Sequence, residues 1–275
     1  MNDEVSAPRR LNYLFICGAP RSGTTAIAQL LNHHPKISVG IERYKNVKPA
    51  DLGEHLFVRE RFFDFRPTDT NIRARKTYVQ LETKYQNARW LGDKVPRYYT
   101  RYDALFEHFR KSVVIFMLRD IHAVASSWNK RAQDPEDKWP ENNNYIEAVR
   151  EWNEALALTL KIGEKYRNRL LVVEYEQLFC GNVAVLTNIL ARLNLVAPNN
   201  VLRLFQNMTR DWEKRYQKSL IECEGQADFI NANADMESYA KLRDAAVQNV
   251  AQEGDRRAAK MKSSKRNAET DFIGI

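Results

Sequence analysis

Residues 12 to 35 read NYLFICGAPRSGTTAIAQLLNHHP. The first six, NYLFIC, are a short apolar run suited to a buried strand, and TTAIAQLLNHH reads as a helix stopped before Pro35. Between them lies a turn running from Gly18 through Ala19, Pro20, Arg21 and Ser22 to Gly23, Thr24 and Thr25. Its glycines have the spacing of the nucleoside-triphosphate loop, G-x-x-x-x-G-K-[ST], with Thr24 where that loop carries lysine. A loop of this kind, leaving a strand and opening a helix, holds a phosphate because main-chain N–H groups at the helix start point at it and the helix dipole favours negative charge. Loss of the lysine argues against triphosphate hydrolysis, while Arg21 supplies positive charge from another direction. A turn using glycine for backbone geometry alone would not need Arg21, Ser22, Thr24 and Thr25 together.

Two more units of the same kind follow. SVVIFML (112–118) leads into RDIHAVASSWNKR (119–131), and RLLVVEY (169–175) leads into VAVLTNILARLNL (183–195). Apolar strands alternating with helical patterns predict an α/β fold with a P-loop-type, mostly parallel sheet flanked by helices on both faces. Residues 145 to 167 read as a long helix with Ile146, Val149, Trp152, Leu156 and Leu160 on one core-packing face. Further helices are expected over 199–207 and 236–252. Asp120 has the position of a helix N-cap, and Ser127 and Arg131, four apart, share a helix face near Arg119, an arrangement that gathers charge and a hydroxyl around an anion. The competing reading of this strand makes it the metal-binding strand of an ATPase, with Asp120 on magnesium.

The chain has 275 residues, 44% of them apolar and 28% charged, which excludes a disordered or fibrous protein. At this length one domain buries enough surface to be stable without disulfides or a structural metal. We expect a single domain over residues 1–255 and a basic, flexible tail over 256–275. The net charge of +8 points to an anionic partner, and its distribution narrows the choice. The last twenty residues carry six basic and two acidic side chains, and Glu42 to Arg101 carry fourteen and eight. A tail excess is ordinarily a solvated end, so the internal excess is the better clue to function. Cys17, Cys180 and Cys223 are widely spaced, without a Cys-x-x-Cys pair, so no disulfide framework is expected. The N-terminal MNDEVSAPRRL has acidic residues where a signal peptide needs basic ones, and the longest strongly apolar run is the six residues Val113 to Leu118. A soluble, cytoplasmic protein with no transmembrane segment is the expectation.

Pro20 to Thr25, PRSGTT after a hydrophobic strand, resembles the 5′-phosphosulfate loop of sulfotransferases that use 3′-phosphoadenosine 5′-phosphosulfate (PAPS). Arg119 and Ser127, eight residues apart, match the family's second signature, which binds the nucleotide's 3′-phosphate. The similarity extends over roughly residues 12 to 195, and is closer to the tyrosylprotein and bacterial PRSGTT-type members than to the small-molecule cytosolic branch. In those members a His-Pro pair after the first helix precedes a Gly and a catalytic Glu. Here His34 and Pro35 lead to Gly40 and Glu42. Ile41 and Arg43 depart from the tyrosylprotein pattern, so the acceptor does not carry over. GDKVP, with Lys94, is similar to a segment whose lysine approaches the transferred sulfonate, and Arg131 and Tyr175 match nucleotide-contacting residues.

The resemblance implies sulfonate transfer from PAPS to an acceptor hydroxyl or amine by in-line displacement, releasing adenosine 3′,5′-bisphosphate and requiring no metal. It implies nucleotide contacts from Arg21, Ser22, Gly23, Thr24, Thr25, Arg119, Ser127, Arg131 and Tyr175. Arg21 and Lys94 would meet charge developing on the leaving phosphate. Glu42, expected among Arg43, Lys45 and Lys48, would be the general base, with His55 the alternative, since the small-molecule branch uses histidine. The acceptor remains open among a glycan, a phenol, a peptide tyrosine and a lipid head group, with residues 42–90 and part of 130–145 expected to line or cover its site. Two other classes stay in view: a P-loop kinase or ATPase, which would bind Mg-ATP, and a nucleic-acid-binding protein, whose affinity would depend on the tail and on salt. No nucleic-acid partner is expected.

Overall fold

The computed structural model describes residues 11–70, 75–221 and 224–246. Five strands, β1 (Asn12–Cys17), β2 (Ile37–Ile41), β3 (Trp90–Lys94), β4 (Ser112–Leu118) and β5 (Leu170–Glu174), form one sheet in the order β2-β3-β1-β4-β5. Every pairing is parallel, with Ile16 opposite Lys94 on one side of β1 and Ile115 on the other. Both faces of the sheet are covered, which is why β1, β4 and β5 read as continuous apolar runs. Along β1, Tyr13, Phe15 and Cys17 enter an aromatic-rich core with Phe57, Phe109 and Trp152, while Leu14 and Ile16 enter an aliphatic one with Ile27, Leu30 and Leu186.

β1 and β4 lie side by side, but the chain leaves them in opposite directions, toward β2 and β3 on one side and toward β5 on the other. The crevice outside the C-terminal ends of strands at such a switch point is where ligands bind in open α/β sheets. The phosphate loop follows β1 and the Arg119 motif follows β4, so topology brings both motifs to this crevice.

Three strands coincide with the apolar runs read from the sequence. β2 (ISVGI) and β3 (WLGDK) are additional. β3 escapes a reading by hydropathy because its last three residues are Gly92, Asp93 and Lys94, and both charged side chains are buried.

The Tyr145–Tyr166 helix, capped by the Asn144 side chain, buries Val149, Trp152 and Leu156 as expected, with Leu160 partly buried against the same core. Ile146 is 47% exposed, because it lies off the buried stripe of the helix, which is centred on Ala148, Trp152, Ala155 and Thr159. The expected helix at 199–207 is Asn199–Thr209. Residues 236–246 are helical, while 247–252 and the basic tail at 256–275 lie outside the described residues. The helix Thr24–Asn32 ends against Lys84, whose ammonium donates to the carbonyls of Asn32 and His34; burial pushes that ammonium down to about 8. Among the described residues, no helix is long and apolar enough to cross a membrane.

Within residues 42–90, the segment expected to line or cover an acceptor site, five aromatic residues serve as core. Tyr44, Phe57, Phe62, Tyr78 and Tyr85 are buried in the core beside β1 and form edge-on and tilted ring contacts with one another.

Candidate active site

Gly18 continues β1 into the phosphate loop, and Gly23 caps the Thr24–Asn32 helix in the left-handed region at φ 84°. Only glycine fits there, since a Cβ would sit 2.4 Å from the Tyr175 ring. The first-turn N–H groups of this helix have no intrahelical acceptor and open toward the crevice. Ser22 and Thr24 are buried and Thr25 is exposed. Arg21 also has a positive φ, 76°, as does Glu42 at 52°. Such conformations cost L-residues about 1–3 kcal/mol and persist where surrounding structure enforces them, commonly at functional sites.

The two anion motifs are in direct contact. Arg21 Nε donates to Ser127 Oγ at 2.9 Å, and the Arg119 guanidinium donates to the Arg21 carbonyl at 2.7 Å while lying 4.4 Å over the Tyr175 ring. Two indoles fix the main chains around them: Trp128 Nε1 donates to the Pro20 carbonyl and Trp152 Nε1 to the Arg119 carbonyl, each at 2.9 Å. Asp120 caps the Ile121–Ala132 helix, accepting from the Ala123 N–H, which is the role read from the sequence. Arg131 forms a two-pronged pair with Asp137, 2.6 Å on each prong, and stacks on Trp139. The Arg21 guanidinium is held below its ordinary value by partial burial and then by the charges of Arg131 and Arg119. A group of mutually repelling cations in a crevice favours an anion.

Beside Arg119 a cavity of about 250 Å³ is walled by Tyr175, Phe179, Trp212, Arg215 and Tyr216. Trp212 and Tyr216, one turn apart on the Trp212–Ile221 helix, stack at 4.9 Å. The sequence reading passed over this helix. Its signal was present in WEKRYQ, where two aromatics four residues apart flank an arginine, but nothing local tied that pattern to motifs some ninety residues upstream. Arg119 Nε and Trp212 Nε1, of the residues lining it, are buried without a hydrogen-bond partner, as are Ser22 Oγ of the phosphate loop and Glu176 Oε2. Orphaned polar atoms of this kind are uncommon in folded proteins and point to a missing ligand or water. A larger cavity of about 680 Å³ runs along the outer edge of β5 and contains none of the motif residues.

On the other side of the phosphate loop, Lys94 is 1% exposed and its ammonium lies 3.0 Å from Glu42 Oε1, with Lys45 3.5 Å from Oε2. The expected ring of Arg43, Lys45 and Lys48 around Glu42 is corrected on two counts. Arg43 turns away and is fully buried, paired with Asp69 at 2.8 Å and donating to the carbonyls of Arg61, Phe62 and Asp64; Lys48 is exposed. Lys94, 52 residues on, takes the place at the carboxylate. His55 lies exposed on the Glu54–Phe57 turn and takes no part in the hydrogen bonds of this cluster. Of the other four histidines, His34, His33 and His108 bond the carbonyls of Val196, Gln29 and Leu52, and His122 bonds the Asn231 side chain. Cys17 and Cys180 are free thiols, and burial pushes the Cys17 thiol up to about 12. Cys223 lies outside the described residues.

The sequence matches the model of the sulfotransferase family over residues 14–199. The nodulation protein NoeE of Sinorhizobium fredii (strain NBRC 101917 / NGR234) is 28% identical over 125 residues, a match that covers 41% of this chain and 30% of NoeE. Among solved structures, the sulfotransferase domain of the Synechococcus PCC 7002 olefin synthase aligns with a TM-score of 0.48 at 23% identity, covering 70% of this chain and 77% of that domain. A sulfotransferase from Alicyclobacillus acidocaldarius aligns with a TM-score of 0.44 at 17% identity, covering 84% of this chain and 99% of its own. The family match runs from within β1 to the start of the Asn199–Thr209 helix, more than half of the sequence, and the chain belongs to the sulfotransferase family.

Proposed function

We propose that this protein transfers a sulfonate group from PAPS to an acceptor hydroxyl or amine, leaving adenosine 3′,5′-bisphosphate. The observation that carries this reading is the contact between Arg21 and Ser127, which joins a phosphate loop lacking the triphosphate lysine to a second anion motif in one crevice. The unpartnered Ser22 Oγ, Arg119 Nε and Trp212 Nε1 fit a nucleotide bearing phosphate at both ends, because such a ligand offers acceptors to each.

When bound, PAPS supplies a sulfonate whose departure develops charge on the bridging oxygen of its 5′-phosphate. In our assignment the loop N–H groups, Ser22, Gly23, Thr24 and Thr25 hold that phosphate. Arg119, Ser127 and Arg131 hold the 3′-phosphate, with Tyr175, Trp212 and Tyr216 flanking the base. Arg21 and Lys94 are fixed cations placed for the developing charge, an arrangement that needs little reorganisation as the reaction proceeds. Glu42 accepts the proton of the acceptor. Its pairing with Lys94 orients the carboxylate and links the base to the cation nearest the transferred group.

The acceptor is a glycan, a phenol, a peptide tyrosine or a lipid head group, and a screen with labelled PAPS distinguishes them. Adenosine 3′,5′-bisphosphate is expected to raise the melting temperature without magnesium. Protection by ATP with magnesium and none by the bisphosphate would overturn the assignment.

A further inference from the structure

Glu42 occupies a left-handed conformation that glycine adopts freely and glutamate does not. In that conformation its carboxylate meets Lys94 at 3.0 Å, and four successive N–H groups around it are bound. The Ile41 N–H donates to the Tyr78 hydroxyl at 2.9 Å and the Glu42 N–H to the Lys94 carbonyl at 2.7 Å. The next two go to one side chain: the Arg43 N–H donates to Asp93 Oδ1 at 2.9 Å and the Tyr44 N–H to Oδ2 at 2.8 Å. The Tyr98 hydroxyl donates to Oδ2 as well, at 3.0 Å. Asp93 is fully buried, so these three donors replace the water its carboxylate has lost. Two consecutive main-chain N–H groups converging on one carboxylate form a compact anion-binding turn, here closed by the protein's own side chain.

We infer that Asp93 is a positioning residue for Glu42: it fixes the Glu42–Tyr44 turn so that the base faces Lys94, without touching the base carboxylate itself. The inference rests on the reading of Glu42 as general base. Asp93 and Lys94 are neighbours on β3, one gripping the main chain of the turn and the other meeting its side chain. Beyond the donors already named, Gly40 stands against the same carboxylate, where a Cβ would come 2.9 Å from Asp93 Oδ1. The phosphate loop shares none of these bonds. Loss of Asp93 should therefore disturb the base and leave nucleotide binding intact.

The test compares Asp93→Asn, Glu42→Gln and the double variant, measuring kcat for sulfonate transfer and the affinity for adenosine 3′,5′-bisphosphate. Asparagine keeps one acceptor and turns an NH₂ group toward an N–H donor. The expected kcat loss is about 10- to 100-fold, the scale of a displaced catalytic group, with bisphosphate affinity unchanged within about twofold. On the Glu42→Gln background the same substitution should cost less than about twofold, since residues acting through one another are not additive. Additive losses, an unchanged kcat in Asp93→Asn, or weakened bisphosphate binding overturn the inference. Full activity in Glu42→Gln alone removes the base assignment and this inference with it, whereas an inactive Glu42→Gln beside a fully active Asp93→Asn removes the inference only. If Asp93→Asn does not fold, Tyr98→Phe, which deletes one donor to Asp93, should lower kcat about three- to tenfold on the wild-type background and not on Glu42→Gln; an unchanged kcat overturns the inference.

Discussion

Arginines on the two sides of the phosphate loop are treated in opposite ways. Around Asp69, Arg43 and Arg61 share one buried carboxylate, and Arg43 fills its remaining donors with main-chain carbonyls. Arg101 does the same with the carbonyls of Tyr44, Lys45 and Val47. Burial raises the Asp69 carboxyl, yet hydrogen bonds from Arg61 and Arg43 outweigh it and hold the group below its ordinary value. In the crevice at the ends of β1 and β4, Arg21 is partly buried under the repulsion of Arg131 and Arg119, and Arg119 Nε has no partner. Arg43, whose donors are taken up by Asp69 and main-chain carbonyls, is a strut of the fold. An arginine left with an unmet donor among like charges is arranged for an anion. Arg43, Arg61 and Arg101 thus hold the Glu42–Arg101 segment together, whereas the crevice at the ends of β1 and β4 draws on arginines from other parts of the chain.

The largest effect should come from removing a strut. Arg43→Ala leaves Asp69 buried with Arg61 as its remaining ion-pair partner, a loss expected to cost about 3 to 5 kcal/mol of stability. Urea unfolding measures it, and a change below about 1 kcal/mol would erase the distinction between the two groups of arginines.

Arg119→Ala tests the other side. Bisphosphate affinity should fall roughly 100-fold, about 2.7 kcal/mol, while the stability of the ligand-free protein changes by less than about 1 kcal/mol, since the substitution also relieves repulsion on Arg21. Isothermal calorimetry beside urea unfolding separates the two quantities. A variant that unfolds as readily as Arg43→Ala would make Arg119 structural.

A third effect, read as a pH dependence, concerns Glu176, which accepts from the Asp120 N–H and lies near Arg119. Burial pushes its carboxyl from the ordinary 4.5 up to about 7. The folded state thus binds this proton more tightly than the unfolded chain, so its contribution to stability is complete below about pH 4.5 and is lost as pH rises through about 7. Glu176→Gln removes that dependence. Between about pH 5 and pH 8, the melting temperature of the wild type should drop relative to the variant; two parallel curves would refute a raised Glu176.

Much of the crevice was legible in the sequence because its signals are local. The glycine spacing, the residues of PRSGTT, the Asp120 cap and the eight-residue step from Arg119 to Ser127 each lie within one strand-to-helix unit. β3 was not legible: two buried charges at the end of a central strand contradict hydropathy, and they are tolerated because Glu42 meets Lys94 while the N–H groups of Arg43 and Tyr44 and the Tyr98 hydroxyl meet Asp93. The pocket wall from Trp212 and Tyr216 was missed for a related reason, since its helix reaches Arg119 through packing alone.

By itself the sequence determined the α/β class, the two anion motifs and their place at strand ends, all set by periodicity, glycine conformation and short spacings. The tertiary structure decided which cations are neutralised, which carboxylate faces Lys94 and what walls the pocket beside Arg119. Charge pairing and desolvation act over a few ångströms of space, and Arg43 to Asp69, Glu42 to Lys94 and Arg21 to Ser127 are separated by 26, 52 and 106 residues of chain.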